Sequence, residues 1–296
     1  MKEDAVTHQH YVEPPLAYRL FKYAVYLLLS MNIFWFFLED HGAVQATFPD
    51  GVGWHNLVEA YSATFDTAAW VILLLLFELE TAVIPDHHLK GGLKWFLAGV
   101  RAVCYGFIVW AFWGYCVKYG LISNLVPLAV TDACSLVGQG MTFIEDLDDY
   151  LPLTAESCLA LQGQALVQVS GTDIIGTVDA ANEAVRLAIV DIINAGDWLL
   201  IVALLEVEVW LQLRHELSDR LMNSLKGVKV VLYAVLFLCA AYWGWKGDFI
   251  DFWDAFLWLV AFIFIEMNLF QWHQEVKEEE AHARERESDG AIPTEP

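Results

Sequence analysis

Three copies of one carboxylate-bearing pattern hold the chemistry this chain can offer. They read Asp66-x3-Trp70-x7-Glu78-x-Glu80, Asn194-x3-Trp198-x7-Glu206-x-Glu208 and Asp254-x3-Trp258-x7-Glu266-x-Asn268. Each copy sits in an apolar run long enough to cross a bilayer. A charged side chain at the centre of such a span costs roughly 2.5–3.5 kcal/mol, so repeated carboxylates there point to ion paths, proton relays or ion pairs.

Helical geometry divides the carboxylates into two sets. Residues two apart point about 200° away from each other, so Glu78 and Glu80 cannot both face one axis. Glu78, Glu206 and Glu266 are identical in all three copies and are the first candidates for a shared ring. Glu80, Glu208 and Asn268 form the rival set, whose Asn would tune the charge. The Asp66, Asn194 and Asp254 positions, with Trp70, Trp198 and Trp258, complete the repeat signature. Glu78 lies twelve residues beyond Asp66, roughly 18 Å along a helix at 1.5 Å per residue.

A carboxylate ring beneath acidic loops suits a cation conduit, and the same groups would serve as carriers of protons. The competing reading is structural. A weaker repeat precedes each copy as Lys22-x3-Tyr26, Arg101-x3-Tyr105 and Lys229-x3-Tyr233. These basic residues are ready partners for the glutamates. The lead function is therefore a membrane cation or proton-coupled transport protein or channel. The alternative is a non-catalytic structural or assembly subunit of a larger membrane complex.

Six apolar segments position these residues: about 16–38, 66–84, 95–118, 186–213, 227–246 and 251–272. Hydrophobic residues make up 57% of the 296-residue chain, above the 45–50% usual for soluble domains. Consecutive spans pair into three two-helix repeats, residues 16–84, 95–213 and 226–272, such as transporters commonly build around a central site. The expected fold is an all-α membrane protein of six transmembrane helices with pseudo-threefold symmetry. Residues 1–15 form a short N-terminal segment and 273–296 an acidic tail.

Basic residues set the orientation. Thirteen of the 16 Lys and Arg residues fall on one side of these spans, and only Lys118, Arg186 and Lys246 fall at the other. The positive-inside rule then places both termini in the cytoplasm of a multi-pass protein in an inner or plasma membrane. The first span is longer than a signal-peptide core and lacks a small-residue cleavage site, so it is expected to stay. Trp35, Trp110, Trp113, Tyr115, Tyr242, Trp243 and Trp245 gather near span ends, as an interfacial aromatic belt does.

The outer loops are unequal, about 39–65 and about 119–185. The longer one is rich in Ala, Leu, Val, Gln and Gly over 159–188, which suggests an outer helical cap. It holds Cys134 and Cys158, the only two of five cysteines outside the spans. On an oxidising face these two should form a disulfide.

Several function classes are excluded. A net charge of −22 argues against nucleic acid, whose phosphates need clustered Lys and Arg. No nucleophile elbow, phosphate loop or zinc-spaced Cys set occurs, so no catalytic residue and no cofactor is assigned. His87 and His215 follow Glu78 and Glu206 by nine residues, and His273 follows Glu266 by seven. That separation is too great for one helix to ligate an ion with both groups, and no metal site is assigned. The expected partners are the lipid bilayer, the transported cation or proton, and other membrane proteins or a second copy of the chain.

Overall fold

The computed structural model describes residues 16–48, 51–80, 91–130, 132–145, 149–213 and 219–264. Eight α-helices occur among them: α1 (Leu16–Thr47), α2 (Leu57–Ala60), α3 (Ser62–Glu78), α4 (Gly92–Ile122), α5 (Ser157–Ala160), α6 (Val178–Leu213), α7 (Asp219–Lys246) and α8 (249–264). Four of these, α1, α4, α6 and α7, are long and apolar enough to cross a membrane over Leu16–Val44, Gly92–Ile122, Val178–Glu208 and Arg220–Lys246. The apolar segments of α3 and α8 run on into residues outside the described set.

Composition explains why these helices form and which way they face. They are dominated by Leu, Val, Ala and aromatic residues, and only 22–33% of the residues in the spanning windows are buried. Phe34, Trp113, Val230, Phe237 and Leu238 all point outward, each more than half exposed. A water-soluble helix hides such side chains, whereas these present them continuously. Such surfaces are compatible with a membrane-embedded protein.

The chain divides into two units, residues 1–28 with 260–296, and residues 29–259. In the first, Tyr18 and Phe21 meet Phe264 edge to face, with ring centroids 5.3 and 5.7 Å apart. In the second, α3 lies against α4, and α6 packs against both α4 and α7. Gly114 of α4 permits the close approach: a Cβ there would stand 3.1 Å from the Ser62 Cβ. Small residues at crossings are how apolar helices bring their backbones together.

The loop between α4 and α6 departs from the expected helical cap. It folds into a five-stranded sheet of β1 (Leu125–Pro127), β2 (Thr142–Ile144), β3 (Tyr150–Pro152), β4 (Leu166–Val169) and β5 (Ile174–Thr177). The strand order is β1-β4-β5-β2-β3, antiparallel except for β2 beside β5. The physical reason lies in Leu166-Val-Gln-Val169 and Ile174-Ile-Gly-Thr177. β-Branched residues favour the pleated backbone, and Gly171 between the strands takes φ +83°, a turn conformation that other residues resist. Alternation then buries both faces. Val167, Val169 and Ile174 pack with Leu187, Ala188 and Trp243 of α6 and α7. Leu166 and Ile175 face Ala133, Leu153, Cys158 and Leu161. Trp243 thus belongs to this core rather than to a lipid-facing belt.

Cys134 and Cys158 form a disulfide across 24 residues, with Cα atoms 5.0 Å apart; Cys104, Cys116 and Cys239 are free thiols. Alkylation in denaturant without reductant, followed by mass spectrometry, should label those three and leave Cys134 linked to Cys158. Closing a loop of that length stabilises by about 3 kcal/mol in the chain-entropy model. Cys158→Ser should therefore lower the unfolding midpoint of the sheet, and an unchanged midpoint would contradict this.

Candidate functional site

The centre of the 29–259 unit is built from three indoles. Trp70 of α3, Trp198 of α6 and Trp258 of α8 are buried, 6–8% exposed. Their ring centroids form a near-equilateral triangle of 6.2, 6.3 and 6.3 Å. Interplanar angles of 54–66° set each ring edge toward its neighbour's face, the favourable arrangement for aromatic quadrupoles. Each follows the Asp or Asn of its repeat by four residues, about one helical turn.

One helical turn toward the sheet lie those polar residues. The indole N–H groups of Trp70 and Trp258 donate to Asp66 and Asp254 respectively. Asp254 Oδ1 also accepts from Asn32 Nδ2 of α1 at 2.7 Å, and Tyr115 Oη of α4 donates to Asp66 Oδ2 at 3.5 Å. The Asn194 Oδ1 atom is buried and accepts no hydrogen bond. Nearby, Asp40 at the end of α1 accepts from the Thr64 amide at 2.9 Å and the Thr64 hydroxyl at 2.6 Å. That contact ties α1 to the first turn of α3.

These groups belong to one acidic cluster. Tyr115 lies within electrostatic reach of Asp40, Asp66, Asp191 and Asp251, and Asp66 within reach of Asp254. Asp251 in turn feels Glu39, Asp191 and Asp248. Asp66, Tyr115, Asp251 and Asp254 are each half-buried. Among the described residues, no three His, Cys, Asp or Glu side chains are grouped so as to hold a metal ion. A separate apolar pocket of about 390 Å³, lined by Ala241, Gly244, Gly247, Phe249 and Phe252, offers no ionisable side chain.

At the opposite end of the helices, the glutamates meet partners on the neighbouring chain segments. Glu80 receives the Arg101 guanidinium of α4. Glu208 of α6 pairs with Lys229 of α7 at 3.0 Å, both side chains being 9% exposed or less. Glu206 is exposed and accepts from Tyr105 Oη at 2.9 Å, while Glu78 is buried. Glu78 and Glu206 therefore occupy different surroundings despite equivalent sequence places. Glu266 and Asn268 lie outside the described residues, as do His87, His215 and His273.

The cluster includes residues that the repeat pattern alone did not single out: Asn32, Asp40, Tyr115, Asp191 and Asp251. Tyr115 reads as a belt residue by position, and Asp191 as a group beyond the hydrocarbon. The available signal was a polar side chain interrupting an apolar run, which Asn32 and Asp251 both provide.

Removing one partner of a buried ion pair leaves the other charge uncompensated, which costs about 3–5 kcal/mol. Lys229→Met should destabilise by that order in denaturant unfolding of the micelle-held protein, and Glu208→Gln with Lys229→Met should recover part of the loss. A single variant as stable as the wild type would rule out this pair as a buried charge contact. No protein-family model, curated protein or solved structure matches this chain.

Proposed function

We propose that this chain is an integral membrane protein that moves a cation or a proton across the bilayer through intramembrane carboxylates. The observation that carries the reading is the cluster of Asp66, Asp254, Tyr115, Asp191 and Asp251 one helical turn from the indole triangle, which in this reading lines a hydrated chamber. Carboxylates among apolar helices need a counter-charge. A chamber that admits water and concentrates negative charge will draw protons or cations into it.

In this reading six spans form three two-helix repeats around a pseudo-threefold axis, and the near-equal indole distances support that symmetry. Both termini lie in the cytoplasm, so the chamber opens toward the outer face, where residues 39–65 and 119–185 form an acidic vestibule. The working carboxylates shift from the glutamates to Asp66 and Asp254. Glu80 and Glu208 act as ionic clamps on α4 and α7, and Glu78 and Glu206 remain the cytoplasmic end of the path. The second reading, a structural subunit of a membrane complex, draws on those same clamps, because paired charges hold helices without transporting anything.

Flux in proteoliposomes separates the two. The wild type should carry protons or cations down an imposed gradient, and Asp66→Asn with Asp254→Asn should reduce that flux at least tenfold while the disulfide and the melting profile stay unchanged. Undiminished flux in the folded double variant would reject the chamber as the path. A wild type that moves neither protons nor cations would reject transport in favour of the structural reading.

A further inference from the structure

Resting on the transport reading, we propose that Trp70, Trp198 and Trp258 form the closed gate of the path, a single aromatic layer between the acidic chamber and the glutamates beyond it. Three indoles with centroids 6.2–6.3 Å apart are in van der Waals contact, which leaves no file of water between them. All three are buried, and Leu74, one turn past Trp70, is only 3% exposed. Ile201, three residues past Trp198, is fully buried as well, and an apolar constriction of this kind stops ions by denying them hydration.

The attachment of the rings to the chamber supplies the means of opening. Asp66 and Asp254, which line the chamber, are also the acceptors of the Trp70 and Trp258 indole N–H groups. A proton or cation that takes up a carboxylate lone pair competes with the indole for it. Occupancy of the chamber therefore weakens the hold on two of the three rings, and an occupant that binds the released state better shifts the layer toward opening. The aromatic layer and its release belong to the same two carboxylates.

Two measurements test the gate. In proteoliposomes with the potential clamped, Trp70→Ala, Trp198→Ala and Trp258→Ala should each raise passive proton or small-cation leak at least tenfold above wild type. The matching Trp→Phe variants keep an aromatic layer and should stay within about twofold. Folded Ala variants that leak no more than a transporting wild type would overturn the gate and leave the transport reading standing. Absence of flux from the wild type and from every Ala variant would overturn both. A second measurement holds where an Ala variant fails to fold. In a background with Cys104, Cys116 and Cys239 replaced by Ser, a charged thiol reagent added on the sheet side should modify Asp66→Cys and spare Leu74→Cys. Equal modification of the two positions would show that no seal lies between them and would overturn the gate.

Discussion

Everything in this molecule is arranged around the difficulty of keeping ionisable groups among apolar helices. A carboxylate withdrawn from water must find a cation, a proton or a set of hydrogen-bond donors. The helices answer this demand differently at their two ends. Away from the sheet, Arg101 and Lys229 meet Glu80 and Glu208 as ion pairs. Near the sheet, the bonds to Asp66, Asp254 and Asp40 come from neutral donors: indoles, Asn32, Tyr115 and Thr64. Neutral donors stabilise a carboxylate without cancelling its charge. The first end holds helices together by charge pairing, and the second by hydrogen bonds from uncharged groups.

The sheet contributes rigidity to that second end. β5 runs directly into α6, so the strand fixes the start of the helix that carries Asp191, Asn194 and Trp198. Val167, Val169 and Ile174 seat one face of the sheet on α6 and α7, and the disulfide-bearing loops cover the other. Glu183 adds a polar tie from α6 to α7, accepting from Lys246 Nζ at 2.7 Å and from Tyr242 Oη at 3.1 Å. A polar cluster drawn from five helices keeps its geometry only if those helices are held in place, because displacements of about an ångström disturb such arrangements. The sheet ties down one of those helices, α6, together with its neighbour α7.

The sequence by itself determined what depends on local spacing. Apolar runs of sufficient length dictated long helices with outward-facing hydrocarbon. The constant interval from Asp66, Asn194 and Asp254 to their tryptophans placed each polar group one turn from an indole, because a helix fixes rise and rotation per residue. The pairing of Cys134 with Cys158 followed from their being the two cysteines outside the spans. The helical cap did not hold, since short β-branched stretches around a glycine turn outweighed the Ala- and Leu-rich composition of the loop that contains them.

Tertiary structure alone decided which partner each polar group would meet. Asn32 and Asp254 are 222 residues apart in sequence, and Tyr105 and Glu206 are 101 apart. No periodicity within one helix encodes such contacts. They depend on the register and rotation of one helix against another, which are set by the packing of whole faces and by close approaches such as that at Gly114. For the same reason Glu78 is buried while Glu206 is exposed, although the two hold identical places along their helices. Position along a helix is a local quantity; environment is a property of the neighbours that packing brings alongside.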